Sequence, residues 1–165
     1  MEKSLKYYQY FRFMLRHKWF VFLASRKLGI TWLGVIHDWS KFLPSEWLPY
    51  MNYFYGKNGN SNRESSKETH QKGIDTEFDA AWNKHKNRNK HHWQWWILQE
   101  DDGPIKLIPM EEKYILEMIA DWTGAGMAIS GRKDWRPWYE KQRDTIQLHP
   151  ETREYVEELF NERMP

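Results

Sequence analysis

Between Ser4 and Gly29 the chain sets Phe13, His17, Phe20, Val21, Ala24 and Leu28 near one face at the 3.6-residue spacing of a helix. Ser4 suits the N-cap and Gly29 the left-handed stop. This period constrains the fold most, because it recurs down the chain while no stretch alternates with period two over a useful length. A shorter helix is predicted from Thr31, and a third from Pro44, with Pro49 bending or shortening it. A fourth is expected from near Asp75 through "FDAAWNKHKNRNKHHWQWWIL". A fifth, "MEEKYILEMIADWTGAGMAIS", carries acidic residues in its first turn, where they suit the helix dipole. Two closing helices begin near Pro137 and Pro150. The expected fold is all-α: one helical bundle of about six to seven helices over residues 1–165, with a Gly/Asn/Ser-rich surface loop at about 56–73.

A chain of 165 residues is long enough to bury a real core as one domain, and eleven tryptophans supply much of the area. There is no cysteine, which excludes a disulfide framework and a thiolate metal site. Any metal must be held by imidazole nitrogen and carboxylate oxygen. Residues 1–98 carry sixteen Lys/Arg against eight Asp/Glu, and residues 99–165 nine against fifteen, so a net charge of +2 hides a basic half suited to an anionic ligand. Lys6, Arg12, Arg16 and Lys18 interrupt the apolar N-terminal run, so no membrane span or targeting segment is expected there. The expected location is the cytoplasm, that of the host if the chain is phage-encoded.

Three helices distant in sequence each bring a metal-capable side chain toward the expected core. His17 lies inside the apolar stripe of the first helix, the pair His37–Asp38 ends the second, and Asp121 shares a face with Tyr114, Met118 and Ala125. Alone, His17 reads as a satisfied core histidine and Asp121 as the partner of an arginine. Together they point to a shared ion, because a buried carboxylate is normally paired or on a metal. This donor set suits Mn, Fe, Co, Ni or Zn, and Mg less well. Lys41 stands where it can neutralise Asp38 or touch a substrate.

The pattern His17, His37-Asp38, Asp121 resembles the HD-domain superfamily, all-α metal-dependent phosphohydrolases. "HDWSK" is similar to the His-Asp-x-Gly-Lys variant of that superfamily's cyclic-dinucleotide phosphodiesterases and di-iron oxygenases, with Ser40 in place of glycine. "RHKWFVFLASRKLGI", "HDWSKF", "HKNRNKHHWQWW" and "EMIADW" together resemble a small family seen in phages and bacteria. That likeness carries a fold and no activity. The superfamily's two-metal members add histidines between the HD pair and the last aspartate, and here His85, His91 and His92 stand in that interval. On an unbroken helix His85, Asn89 and His92 share a face and His91 turns away; a break at "NRNK" would turn His91 inward. His70 offers an upstream alternative.

The resemblance implies a metal-dependent phosphohydrolase acting on a small phosphorylated substrate, favouring a nucleotide, through one ion or two that activate water. Lys41, or Lys84, Lys86, Arg88 and Lys90, would hold phosphate oxygens. A di-iron oxygenase and a non-catalytic metal-containing binding protein are the alternatives. The "KHKNRNKHH" run with its tryptophans permits nucleic-acid stacking, but a solvated face is its ordinary role and no nucleic-acid partner is expected. "WTGAGMA" follows no strand, so close helix packing is expected there and not a nucleotide loop. Trp39 and Trp122, each beside a proposed ligand, could wall a base-sized pocket.

Overall fold

The computed structural model describes residues 2–56 and 72–162. Most of the expected polar loop at 56–73, His70 included, lies outside the described residues. Seven α-helices are found among them: α1 (Glu2–Lys27), α2 (Thr31–Ile36), α3 (Pro44–Tyr55), α4 (Lys72–Arg88), α5 (Glu112–Ser130), α6 (Arg136–Gln142) and α7 (Pro150–Asn161). The all-α bundle anticipated from periodicity is therefore the fold. Gly29 stops α1 at φ 76°, and α3 runs through Pro49 to Tyr55 without ending. No described helix is long and apolar enough to cross a membrane.

Two departures from expectation matter. The helix expected to run from Asp75 to Leu98 ends at Arg88, where the chain turns at Asn89 and re-forms as a single 3-10 turn over Trp93–Trp96. Asn89 causes the stop: its side chain donates back to the His85 carbonyl at 2.9 Å, competing with helix continuation. Beyond it, Ile97–Leu98 (β1) pairs antiparallel with Lys106–Leu107 (β2), a two-residue ladder too short to show as alternation.

The bundle has two apolar clusters. One joins α5, α6 and α7 through Met118, Ile119, Trp135, Tyr139 and Val156. The other joins α1, α3 and α4 through Tyr10, Met14, Tyr50, Met51, Tyr55 and Ala81. Helix α1 packs along α5 and α2, and α3 along α4. The α1–α5 approach is set by Gly124: a Cβ there would lie 2.4 Å from Val21 Cγ2 and 2.7 Å from the Val21 backbone nitrogen. Val21 stands one turn beyond His17, and Gly124 nearly one turn beyond Asp121. The close contact thus fixes the distance between those two side chains. Gly34 does the same for α2, its missing Cβ falling 2.6 Å from Ser25 Cβ on α1. Of the two glycines of "WTGAGMA", Gly124 serves close helix packing, as expected.

Candidate metal centre

His37 closes α2 in extended backbone, and Asp38 follows at φ 53°, the single non-glycine residue with positive φ among the described residues. Aspartate tolerates this conformation better than most side chains. The turn lets two adjacent residues reach one point, which a regular helix forbids. Lys18 holds the turn from outside, donating to the His37 carbonyl at 2.6 Å and the Val35 carbonyl at 3.2 Å. Burial first, and the nearby Lys41 charge, lower the Lys18 pKa against the pull of Asp38.

The side chains expected at the site do converge. His17 Nε2 lies 3.2 Å from Asp121 Oδ1 and 3.6 Å from Asp38 Oδ2, and His37 Nε2 lies 3.3 Å from each of those oxygens. His85, His91 and His92 form a second group that also includes Asp38. Here the other carboxylate oxygen takes part: Asp38 Oδ1 is 3.2 Å from His85 Nε2 and 3.5 Å from His91 Nε2. Within each group the candidate ligand atoms lie within 4.8 Å of one another. The break at Asn89 turns both His91 and His92 inward, where an unbroken helix would have admitted only His92.

Five imidazole Nε2 atoms, those of His17, His37, His85, His91 and His92, are buried without a hydrogen-bond partner, and so is Asp38 Oδ1. Such atoms are rarely left unpaired in a core, since each forfeits its hydration. A cation in each group would satisfy these atoms. The buried His/Asp groups can hold a metal ion, and their donor chemistry fits one.

Two glutamates not anticipated from the sequence orient the rings. Glu117 Oε1 lies 3.0 Å from His37 Nδ1 and 3.3 Å from His91 Nδ1, tying one ring from each group to one carboxylate. Glu46 Oε2 lies 2.9 Å from His85 Nδ1 and accepts from Ser40 Oγ at 2.9 Å, while Arg88 donates to its other oxygen at 2.7 Å. A carboxylate on Nδ1 keeps a proton there, so the Nε2 lone pair faces inward. His37, His91 and Glu117 also form a third ligand-like group, but the Nδ1 contacts to Glu117 already account for it.

The sequence pattern of a family of unknown function, DUF5662, matches residues 6–162. The chain belongs to this family. No curated protein and no solved structure matches it.

Other expectations shift. Lys41 Nζ lies 2.5 Å from Asp38 Oδ2 and over the Tyr50 ring, so it neutralises Asp38. Arg88 is engaged with Glu46, which in turn faces His85. Lys84 is exposed on α4 and does not line the site, because it precedes the inward His85 by one residue. Lys86 lies over Trp82 and Lys90 over Trp95 and Tyr114. Asn89 donates to Ser40 Oγ at 3.1 Å, linking the helix end to the HD turn. Trp39 is 59% exposed, whereas Trp122 lines a cavity of about 500 Å³ that reaches His91, His92 and Asp121.

Burial raises the carboxyl pKa values, but their partners outweigh it. His37, Lys41 and His85 hold Asp38 well below the usual range. His17 and His37 do the same for Asp121. Burial works to lower the His37 pKa, yet the Asp38 charge, with Asp121 and Glu117 beside the ring, raises it well above 6.5. Burial prevails at His92 and lowers it well below that value, with the His91 and His85 charges adding to the effect.

Proposed function

We propose that the chain is a metal-dependent phosphohydrolase of the HD-domain kind, acting on a small phosphorylated molecule, a nucleotide by preference, with two divalent ions sharing Asp38. The observation that carries this reading is the division of the Asp38 carboxylate. One oxygen faces His17 and His37, the other His85 and His91, and every facing Nε2 lacks another partner. A donor set rich in imidazole favours Mn, Fe, Co, Ni or Zn over Mg. Held by these residues, such ions would polarise a phosphoryl oxygen and lower the pKa of water, the chemistry that supplies a nucleophile near neutral pH.

The chain's own residues do the rest. Glu117 and Glu46 fix the tautomers of three histidines, and Lys41 offsets the charge on Asp38. Asp121, His91 and His92 face the cavity, so a phosphoryl group entering it meets both ligand groups. The same donor set suits a pair of irons, which makes a di-iron oxygenase the second reading.

Metal analysis of protein purified without added metal, followed by a panel of nucleoside mono-, tri- and cyclic phosphates with each divalent metal, tests the proposal. Two ions per chain and phosphate release are expected, with turnover lost in Asp38→Asn. Two irons with a mixed-valent signal and no phosphate release would favour the oxygenase. Bound metal with neither activity would leave a binding protein.

A further inference from the structure

We infer that the cavity beside the ligand groups selects a substrate carrying a planar heteroaromatic ring, stacked on the half-exposed indole of Trp138 beside Trp122 and read at a ring N–H by Gln94. This rests on the phosphohydrolase reading, because it places the phosphoryl end at His91, His92 and Asp121.

The cavity, about 500 Å³, is lined by those three residues together with Trp122 and Trp138. That volume suits a molecule of mononucleotide size and not a polymer. Trp122 directly follows Asp121 on α5, so the aromatic wall begins where the ligand group ends. Trp138 on α6 packs against Trp122 with ring centroids 5.1 Å apart, yet it remains 47% exposed. Its neighbours Trp135 and Tyr139 are buried and account for how α6 docks. The docking of α6 therefore does not need a tryptophan at 138. A half-exposed indole lining a cavity offers a stacking face.

Gln94 supplies the second, independent observation. It lines the same cavity, and its Oε1 is buried without a hydrogen-bond partner. An amide oxygen kept dry and unpaired is costly to the fold, and a donor from a ligand relieves it. A sugar phosphate without a base could offer this acceptor a hydroxyl, but it carries no planar ring for the indoles. A heterocycle bearing an N–H uses both at once, and a pocket that hydrogen-bonds its substrate rejects an analogue lacking the group more strongly than an apolar pocket could.

The test uses metal-loaded full-length chain, comparing kcat/KM for the four nucleoside 5′-monophosphates with that for ribose 5-phosphate. In Trp138→Leu and in Gln94→Leu the preference for the best nucleotide over ribose 5-phosphate should fall about ten-fold. Trp138→Phe should keep most of it, since a ring face remains. Variants that retain the wild-type preference would overturn the inference while leaving phosphohydrolase activity standing. If no phosphate ester is turned over, the hydrolase reading fails, and quenching of tryptophan fluorescence by nucleoside monophosphates decides the ring site alone. Saturable quenching weakened by both leucine variants supports it, and absence of quenching overturns it.

Discussion

Glu117 illustrates how a residue outside the ligand groups governs both. Its carboxylate faces the Nδ1 of His37 and of His91, which belong to different groups, and those two rings lie with centroids 4.4 Å apart. Both contacts fall on one oxygen, Oε1, so an amide keeps the acceptor but offers no charge to hold the protons on Nδ1. Glu117→Gln should therefore weaken metal binding or turnover by about 10–100-fold, the usual effect of removing a partner that orients a ligand. His85→Ala should remove ions from the second group alone. Counting metal per chain in the two variants checks this; a Glu117→Gln protein with unchanged affinity for both ions would refute the orienting role. Much of this site was legible from residue types. His17 and Asp121 stood inside apolar stripes, where a polar group needs a reason. Glu117 was legible in principle, since it precedes Asp121 by four residues and shares its face, but it reads equally as a surface charge. Glu46 stands in the first turn of α3, where an acid suits the helix dipole, and that role hid its other one.

At the scale of elements, two close approaches aim the ligands, and both depend on the absence of a side chain. Gly124 faces Val21 backbone as well as side chain, so the neighbour cannot rotate away. Gly124→Ala must push α5 from α1, and overpacking of this kind costs about 1–3 kcal/mol. The same shift parts His17 from Asp121. The expected result is a lower melting temperature together with weaker binding at the first ligand group, read by thermal unfolding and metal titration. Gly126→Ala is the natural control, since its nearest obstacle is the Arg132 carbonyl at 3.1 Å. Equal effects of the two substitutions on metal binding would defeat the argument. The helices were legible from their period because each buries a stripe. The break at Asn89 was not, because it depends on one amide returning to its own backbone and leaves the periodicity of "HKNRNKHH" undisturbed. That one turn decided whether His91 joined the site.

Across the whole molecule, the seven helices bring a cluster of like and unlike charges into a dry interior, and this couples metal binding to pH. Without an ion, Asp38, Asp121 and Glu117 are held anionic, and His37 between them is raised well above its ordinary 6.5. A raised histidine stabilises the fold below 6.5, and that contribution is lost as pH climbs through the folded value. His91 and His92 are lowered and act oppositely: below 6.5 the unfolded chain takes up protons they refuse, so stability falls with pH. The depressed carboxylates stabilise above their ordinary values, and that support is lost as pH drops through the folded ones. A metal needs the His37 Nε2 lone pair, so at pH 7 its arrival must expel the proton that balances the carboxylates. Loading should therefore release about one proton per chain, and affinity should rise about ten-fold per pH unit until the folded His37 value is passed. Calorimetric titration with Zn or Mn in two buffers of different ionisation heat measures the release directly. A binding heat that is the same in both buffers would show that His37 is already neutral and meets the ion without giving up a proton, which would overturn the predicted pH dependence.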